Sequence, residues 1–154
     1  MTASDTSTPV FSRRAFIAAA LSGGVAAGAA ALAGLGWLSA PQSSSFAFSR
    51  GTSLGTGEEA RLRAFLAPAL EDDRLHVTII GHTGQTGEAA ANQALSEARA
   101  EAGRTIALAL GLAPEQITTA GLGGAAPLSK AAEESDRAFQ SRLARIDVSL
   151  QPRR

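Results

Sequence analysis

The chain has 154 residues, room for one ordinary domain and an appendage. Lysine plus arginine and aspartate plus glutamate number 14 each, so nothing draws the chain in bulk to nucleic acid, and none is expected as a partner. The absence of cysteine excludes disulfides, thiolate metal sites, a cysteine nucleophile and lipid attachment through cysteine. With two histidines in the whole chain, neither a metal cluster nor a cofactor is expected.

Residues 1–14 form an N-region ending in Arg13 and Arg14, and no ionisable residue follows until Arg50. The span 15–40 predicts one hydrophobic helix, long enough at about 1.5 Å per residue to cross a hydrocarbon core of roughly 30 Å. Phe16, Ile17, Leu21, Val25, Leu32, Leu35, Trp37 and Leu38 are its large apolar residues; the rest is Ala, Gly and Ser, so insertion is only weakly favourable. The paired arginines keep the N-terminus in the cytoplasm and place everything after residue 40 outside it. Two readings of the segment stand. Ser12-Arg13-Arg14-Ala15-Phe16-Ile17 resembles a twin-arginine export signal, without the basic residue that often ends that motif. The plainer reading is a membrane helix with two flanking charges. Leu38-Ser39-Ala40 ends in the small residue a signal peptidase needs, so cleavage stays open. The GxxxG spacing of Gly24 and Gly28 is close to chance in so Ala/Gly-rich a run. The expected location is the cell membrane, single-pass with the C-terminal domain in the periplasm, or the periplasm itself after cleavage.

Residues 41–45 read as a short polar linker, 46–150 as the exported domain and 151–154 as a tail. Phe46–Ser49 alternates like a strand. Thr56 and Glu59 form a capping box for a helix with Leu62, Phe65, Leu66 and Leu70 on one stripe and Pro68 at its last turn. Leu75–Ile80 is the strongest strand, and the loop 81–87 follows it. A long helix is expected over Glu88–Leu110, with Leu95, Ala98, Ala102, Ile106 and Ala109 inward and Gly111 as its C-cap. Ile117–Leu122 is a third strand, a short helix follows Ser135, and Arg145–Leu150 is the last strand. The order βαβα and then two strands gives an α+β or α/β sandwich. No nucleophile with its base and no phosphate loop is present, and Gly121-Leu122-Gly123-Gly124 reads as turn chemistry.

Several separated motifs then agree in order and spacing. Gly81-His82-Thr83-Gly84 with Gly87, then Asn92, then Leu95-Ser96 with Arg99-Ala100, resembles the peptidoglycan-binding domain at the C-terminus of outer membrane protein A. The same domain occurs in the peptidoglycan-associated lipoprotein and in flagellar stator proteins. Gly111, Ile117, Gly121-Leu122-Gly123, Pro127 and Arg145-Ile146-Asp147-Val148 continue the match across nearly all of 46–150. The resemblance implies an α+β, OmpA-like βαβαββ sandwich with helices on a mixed four-stranded sheet. It also implies capture of diaminopimelate in the stem peptide of the cell wall. In the family a loop Asp pairs with the ligand's ammonium and a helix Arg forks onto its carboxylate.

Arg99 stands at the Arg position, Gly84 at the Asp position, and Leu143 and Ala144 at the family's Asn and first Arg before the last strand. The site implied by the resemblance is Arg99, Thr83, Gly84, Asn92 and Arg145, with its anion-binding half kept and its cation-binding half lost. A missing charge-assisted bond of about 1.5–3 kcal/mol weakens capture roughly 10–150-fold. Gln85 offers only a neutral oxygen, and Glu88 is a replacement carboxylate only if it swings away from complementing the helix dipole. Each residue also has a plain reading. On its plain reading Arg99 is a solvated helix arginine paired with Glu101, Asp147 or another acid. Asn92 fixes the loop, Thr83 and Gly87 shape the turn, and His76 and His82 are surface or loop residues.

The leading expectation is a non-catalytic cell-envelope protein, not an enzyme, that binds or sits against peptidoglycan without a covalent bond. The lack of cysteine excludes the lipoprotein version, and the lack of a carboxylate in 15–40 argues against the proton-conducting stator version. The rival is an envelope scaffolding module that has lost wall recognition, partnered by a second copy or another envelope protein.

Overall fold

A computed structural model of the protein describes residues 41–153; the helix expected over 15–40 lies outside them. The elements are β1 (Gln42–Arg50), β2 (Ser53–Leu54), α1 (Glu58–Glu71), β3 (Leu75–Gly81), α2 (Ala89–Leu110), β4 (Ile117–Gly121), α3 (Asp136–Leu143) and β5 (Arg145–Pro152). Three helices accompany one mixed sheet in the order β2-β1-β5-β3-β4, in which only β3 and β4 run parallel. The α+β class holds, with a fifth strand. The two residues of β2 are too few for any alternation to announce them.

Pairing puts Phe46, Phe48, Val77, Ile79, Ile146, Val148 and Leu150 on one face, and all of them are buried beneath Leu62, Leu66 and Ala69 of α1 and Ala100 and Ala107 of α2. Phe46 meets Phe65 edge-on at 5.8 Å, a geometry that adds to the burial of both rings. Gln116 closes one end of this core: its amide nitrogen donates to the carbonyls of Ala69 (3.1 Å) and Leu75 (3.3 Å), and its oxygen accepts from Ala113 (3.0 Å). The other face carries a hydroxyl row, Ser43, Ser149, Thr78 and Thr118, one residue from each long strand.

Several sequence expectations are corrected. The linker 41–45 is strand for most of its length, because Gln42–Ser45 pair in register with Asp147–Leu150, and β5 likewise runs on through Gln151 and Pro152. The capping box at Thr56 is absent; Gly57 caps α1 with φ 78°, and the Glu58 carboxylate accepts from the backbone N–H of Ala47 at 3.1 Å instead. On α1 the buried residue of the last turn is Ala69, while Leu70 is exposed.

The inner face of α2 is also shifted by about one residue. Ser96, Arg99, Ala100, Gly103 and Ala107 are buried, whereas Leu95, Ala102 and Ile106 are half-buried and Ala98 and Ala109 exposed. Close approach explains the shift. A Cβ on Gly103 would sit 3.0 Å from Ile146, and one on Gly121 would sit 2.6 Å from the backbone nitrogen of Glu97. Small residues therefore face the sheet and the larger apolar ones flank the contact. Gly111 ends α2 with φ 105° as expected.

Between β4 and α3 the chain is held by charge. The Glu134 carboxylate accepts from Arg142 at 2.6 and 2.7 Å and from the Ala131 N–H at 3.2 Å, and Lys130 pairs with Asp136 at 2.6 Å. The Arg142 bonds hold the Glu134 pKa at about 2 against an ordinary 4.5. A depressed folded-state value means the contribution is complete above pH 4.5 and is lost as pH falls toward 2. Protection of the amides across 131–143, measured against the intrinsic exchange rate at each pH, is expected to fall over that interval, and Glu134→Gln should lower the protection above it and remove the acid step.

Candidate functional site

Arg99 projects from the inner side of α2 and is only 5% exposed. Its Nε donates to the Gly51 carbonyl at 2.8 Å and its Nη1 to the His82 carbonyl at 2.7 Å, while the guanidinium lies 5.2 Å from the centre of the Phe48 ring. These bonds tie the β1–β2 turn to the start of the β3–α2 loop. No carboxylate pairs with Arg99 among the described residues: Glu101 bonds Arg104, and Asp147 bonds Arg145. Burial lowers the Arg99 pKa from the ordinary arginine value, yet a guanidinium stays charged at any physiological pH. The site therefore holds a desolvated cation satisfied by neutral carbonyls.

The loop leaving β3 is fixed from several sides. Thr83 is buried, with its N–H on the Gly123 carbonyl (2.9 Å) and its hydroxyl on the Gly84 carbonyl (3.1 Å). Asn92 donates from Nδ2 to the Thr86 carbonyl at 3.0 Å, the loop-fixing role. Gly87 adopts φ 93°, a turn conformation open to glycine. Glu88 is the exposed N-cap of α2, and its side chain makes no capping bond.

Gly84 has an ordinary φ, and what fills the space beside it comes from α3. The Gln140 Oε1 sits where a Cβ on Gly84 would go, and it accepts from the Gln85 N–H at 3.1 Å. Sequence reasoning missed Gln140, since no local signal links residues 55 positions apart.

Between this loop and residues 122–125 opens a cleft of about 400 Å³. Gln85, Asn92 and Gln93 supply its polar side chains, and no ionisable side chain lines it. Gln93 spends both amide hydrogens, on the Gly121 carbonyl (3.0 Å) and on Glu97 (2.7 Å).

Arg145 is placed elsewhere. It alternates with the core residue Ile146 and so lies on the sheet face opposite α2, away from Arg99. There it donates from Nε to Asp147 at 3.0 Å, beside Ser45, whose hydroxyl bonds the same carboxylate at 2.6 Å, and His82, whose Nε2 is 3.0 Å from it. Burial alone raises the Asp147 pKa, but His82, Ser45 and Arg145 together outweigh it and hold the carboxyl well below its usual range. His82 lies in the loop after β3, as expected, but it is buried there as a member of this cluster. Arg99, Thr83, Gly84 and Asn92 share the loop and the start of α2; Arg145 does not join them.

The family model described as the OmpA family matches residues 48–141. The peptidoglycan-associated lipoprotein from Burkholderia pseudomallei is similar in structure, with a TM-score of 0.60 and 26% identity over 70% of this chain and 89% of that one. The OmpA-like domain of FopA1 from Francisella tularensis gives the same TM-score of 0.60 and 26% identity, over 73% of each chain. Outer membrane porin F of Pseudomonas fluorescens is 37% identical over 68 residues, 44% of this chain and 21% of that longer protein.

Proposed function

Because this chain belongs to the OmpA family, we propose that its domain attaches non-covalently to peptidoglycan from the periplasmic side. The residues proposed for the site are Arg99, Thr83, Gly84 and Asn92. The observation that carries the reading is Arg99, a buried cation without a carboxylate of its own, set behind the loop that the family uses for ligand. A free carboxylate of the stem peptide is the group that would complete it. The ammonium end meets only Gly84 and the neutral Gln140 oxygen, so affinity is weak by family standards. Co-sedimentation of the full chain with isolated sacculi tests the function, and absence of the chain from the pellet at low salt would overturn it.

Gly84→Asp probes the weak half of the site. The new Cβ displaces the Gln140 amide, a flexible side chain, and meets no backbone strain. Combined with Gln140→Ala, it should tighten binding of a diaminopimelate peptide about tenfold or more, the worth of one charge-assisted bond, as read by calorimetry. A double variant no tighter than wild type favours the second reading, a scaffolding module. What supports that alternative is that no carboxylate is among the residues lining the cleft.

The span 15–40 supports export or anchoring, with the domain outside the cytoplasm. Among the described residues no helix is long and apolar enough to cross a membrane, and the anchor is assigned here to that span. A C-terminal reporter active only outside the cytoplasm should therefore work, and activity from a cytoplasm-only reporter would refute this topology.

A further inference from the structure

The outer edge of β4 and the flank of α2 beside it enclose a second groove of about 400 Å³, at the end of the sheet opposite β2. We propose that this groove docks an extended basic peptide, which joins the sheet alongside β4 and sets its lysine or arginine side chains on Glu97 and Glu101.

The two sheet edges differ in a way that bears on pairing. At one edge β2 has two residues, and its register with β1 is broken between Phe48 and Arg50, features that blunt an edge against further strands. At the other, β4 pairs with β3 through five consecutive residues, without proline, lysine or bulge, and no strand covers its outer side among the described residues. Every second residue of such a strand turns its N–H and C=O outward, a template for strand addition.

α2 supplies the second wall. The helix passes so close to the end of β4 that Gly121 has no room for a Cβ beside Ser96 and Glu97, while Ala94 and Ala98 leave the groove floor open. An extended chain laid between an edge strand and a helix is an established recognition geometry.

Charge chooses the occupant. Glu97 and Glu101 both line the groove and are exposed. Glu97 accepts only the neutral Gln93 amide and forms no ion pair among the described residues; Glu101 bonds the nearby Arg104 at 3.1 Å. Four residues along a helix rise about 6 Å, and two residues along a strand span about 6.7 Å. Alternate side chains of a docked strand therefore match the two carboxylates in spacing. A second copy pairing through the same edge would bring these acids against their own mates, which opposes self-association.

The test uses the full chain in detergent micelles and a blocked hexapeptide of alternating lysine and valine, with the glutamate–valine peptide as its counterpart. At low salt the lysine peptide should bind about tenfold or more tighter than the glutamate peptide and slow hydrogen exchange of those amides within 117–121 that face away from β3. The double variant E97K/E101K changes two exposed residues; it should keep its circular dichroism spectrum and reverse the preference. Equal binding of both peptides, or protection confined to other strands, overturns the proposal. So does protection, before peptide is added, of the β4 amides that face away from β3: a second copy holds the edge if that protection grows with protein concentration, and another part of the chain if it does not.

Discussion

Gly81→Ala is expected to lower the melting temperature of the domain by about 12 °C or more, the effect of roughly 3 kcal/mol on a unit of this size. A methyl group on Gly81 overlaps the Ser96 carbonyl, and its next neighbour is the backbone nitrogen of Ala100 at 3.2 Å. Both obstacles are main chain of α2, so no rotamer change relieves the clash. Either the helix lifts from the sheet, which opens contacts of Ile79 and Ile146 with Gly103, or β3 bends away from β5. The penalty takes a large share of the 5–15 kcal/mol that holds a typical domain together, taken as an order of magnitude. A thermal melt by circular dichroism reads it, and a fall of only a few degrees would mean that α2 yields more readily than close packing implies.

Arg99→Ala should abolish retention on sacculi and also destabilise the fold by about 2–3 kcal/mol. It strips partners from the Gly51 and His82 carbonyls, each a loss of about 1–3 kcal/mol if water cannot replace the donor. Removing a desolvated charge offsets part of that cost. Stability and binding are separated by assaying retention well below the melting point of each variant. Arg99→Lys keeps the charge but loses the planar fork, so it should hold one carbonyl at most and retain sacculi poorly. Retention that survives Arg99→Ala in a folded protein would remove Arg99 from the site. Wild-type retention should weaken only modestly with salt, because the Arg99 guanidinium is largely buried and a pair formed there is screened less than one at the surface.

Much of this architecture is legible in the sequence where periodicity is strong and the chain is punctuated. The β3 alternation of Leu75, Val77 and Ile79, the β5 alternation of Ile146, Val148 and Leu150, and Gly111 as the end of α2 follow from residue type alone. The phase of α2 does not, because hydrophobicity ranks Leu95 and Ile106 above Ser96 and Gly103, whereas the sheet selects for size. The serines of β1 read as linker because their partners lie 106 to 102 positions away on β5.

The candidate site divides the same way. Arg99, Thr83 and Asn92 fall on the motif spacing, and Asn92 takes the loop-fixing role foreseen for it. Neither pairing foreseen for Arg99 occurs, and the Gln140 contact with the loop depends wholly on tertiary packing. The grouping of Ser45, His82, Arg145 and Asp147 joins three strands' worth of sequence at one carboxylate, which no local pattern could reveal.

The bond between Arg99 and Gly51 has a mechanical consequence. Gly51 follows β1 directly, so whatever is gripped near Arg99 is gripped at the far end of that strand from Pro41. Tension between a tether at Pro41 and a grip near Arg99 runs along β1. Gln42–Ala47 are zipped to β5 by a continuous antiparallel register, whose hydrogen bonds lie across the pull. With both ends of the load on one extended strand, the β1 backbone carries the pull and these bonds are not peeled one by one. A domain strung this way resists extension along its tether better than its modest hydrophobic core suggests, and pulling from residue 41 against a fixed point beside Gly51 should need more force than pulling between residues 41 and 153.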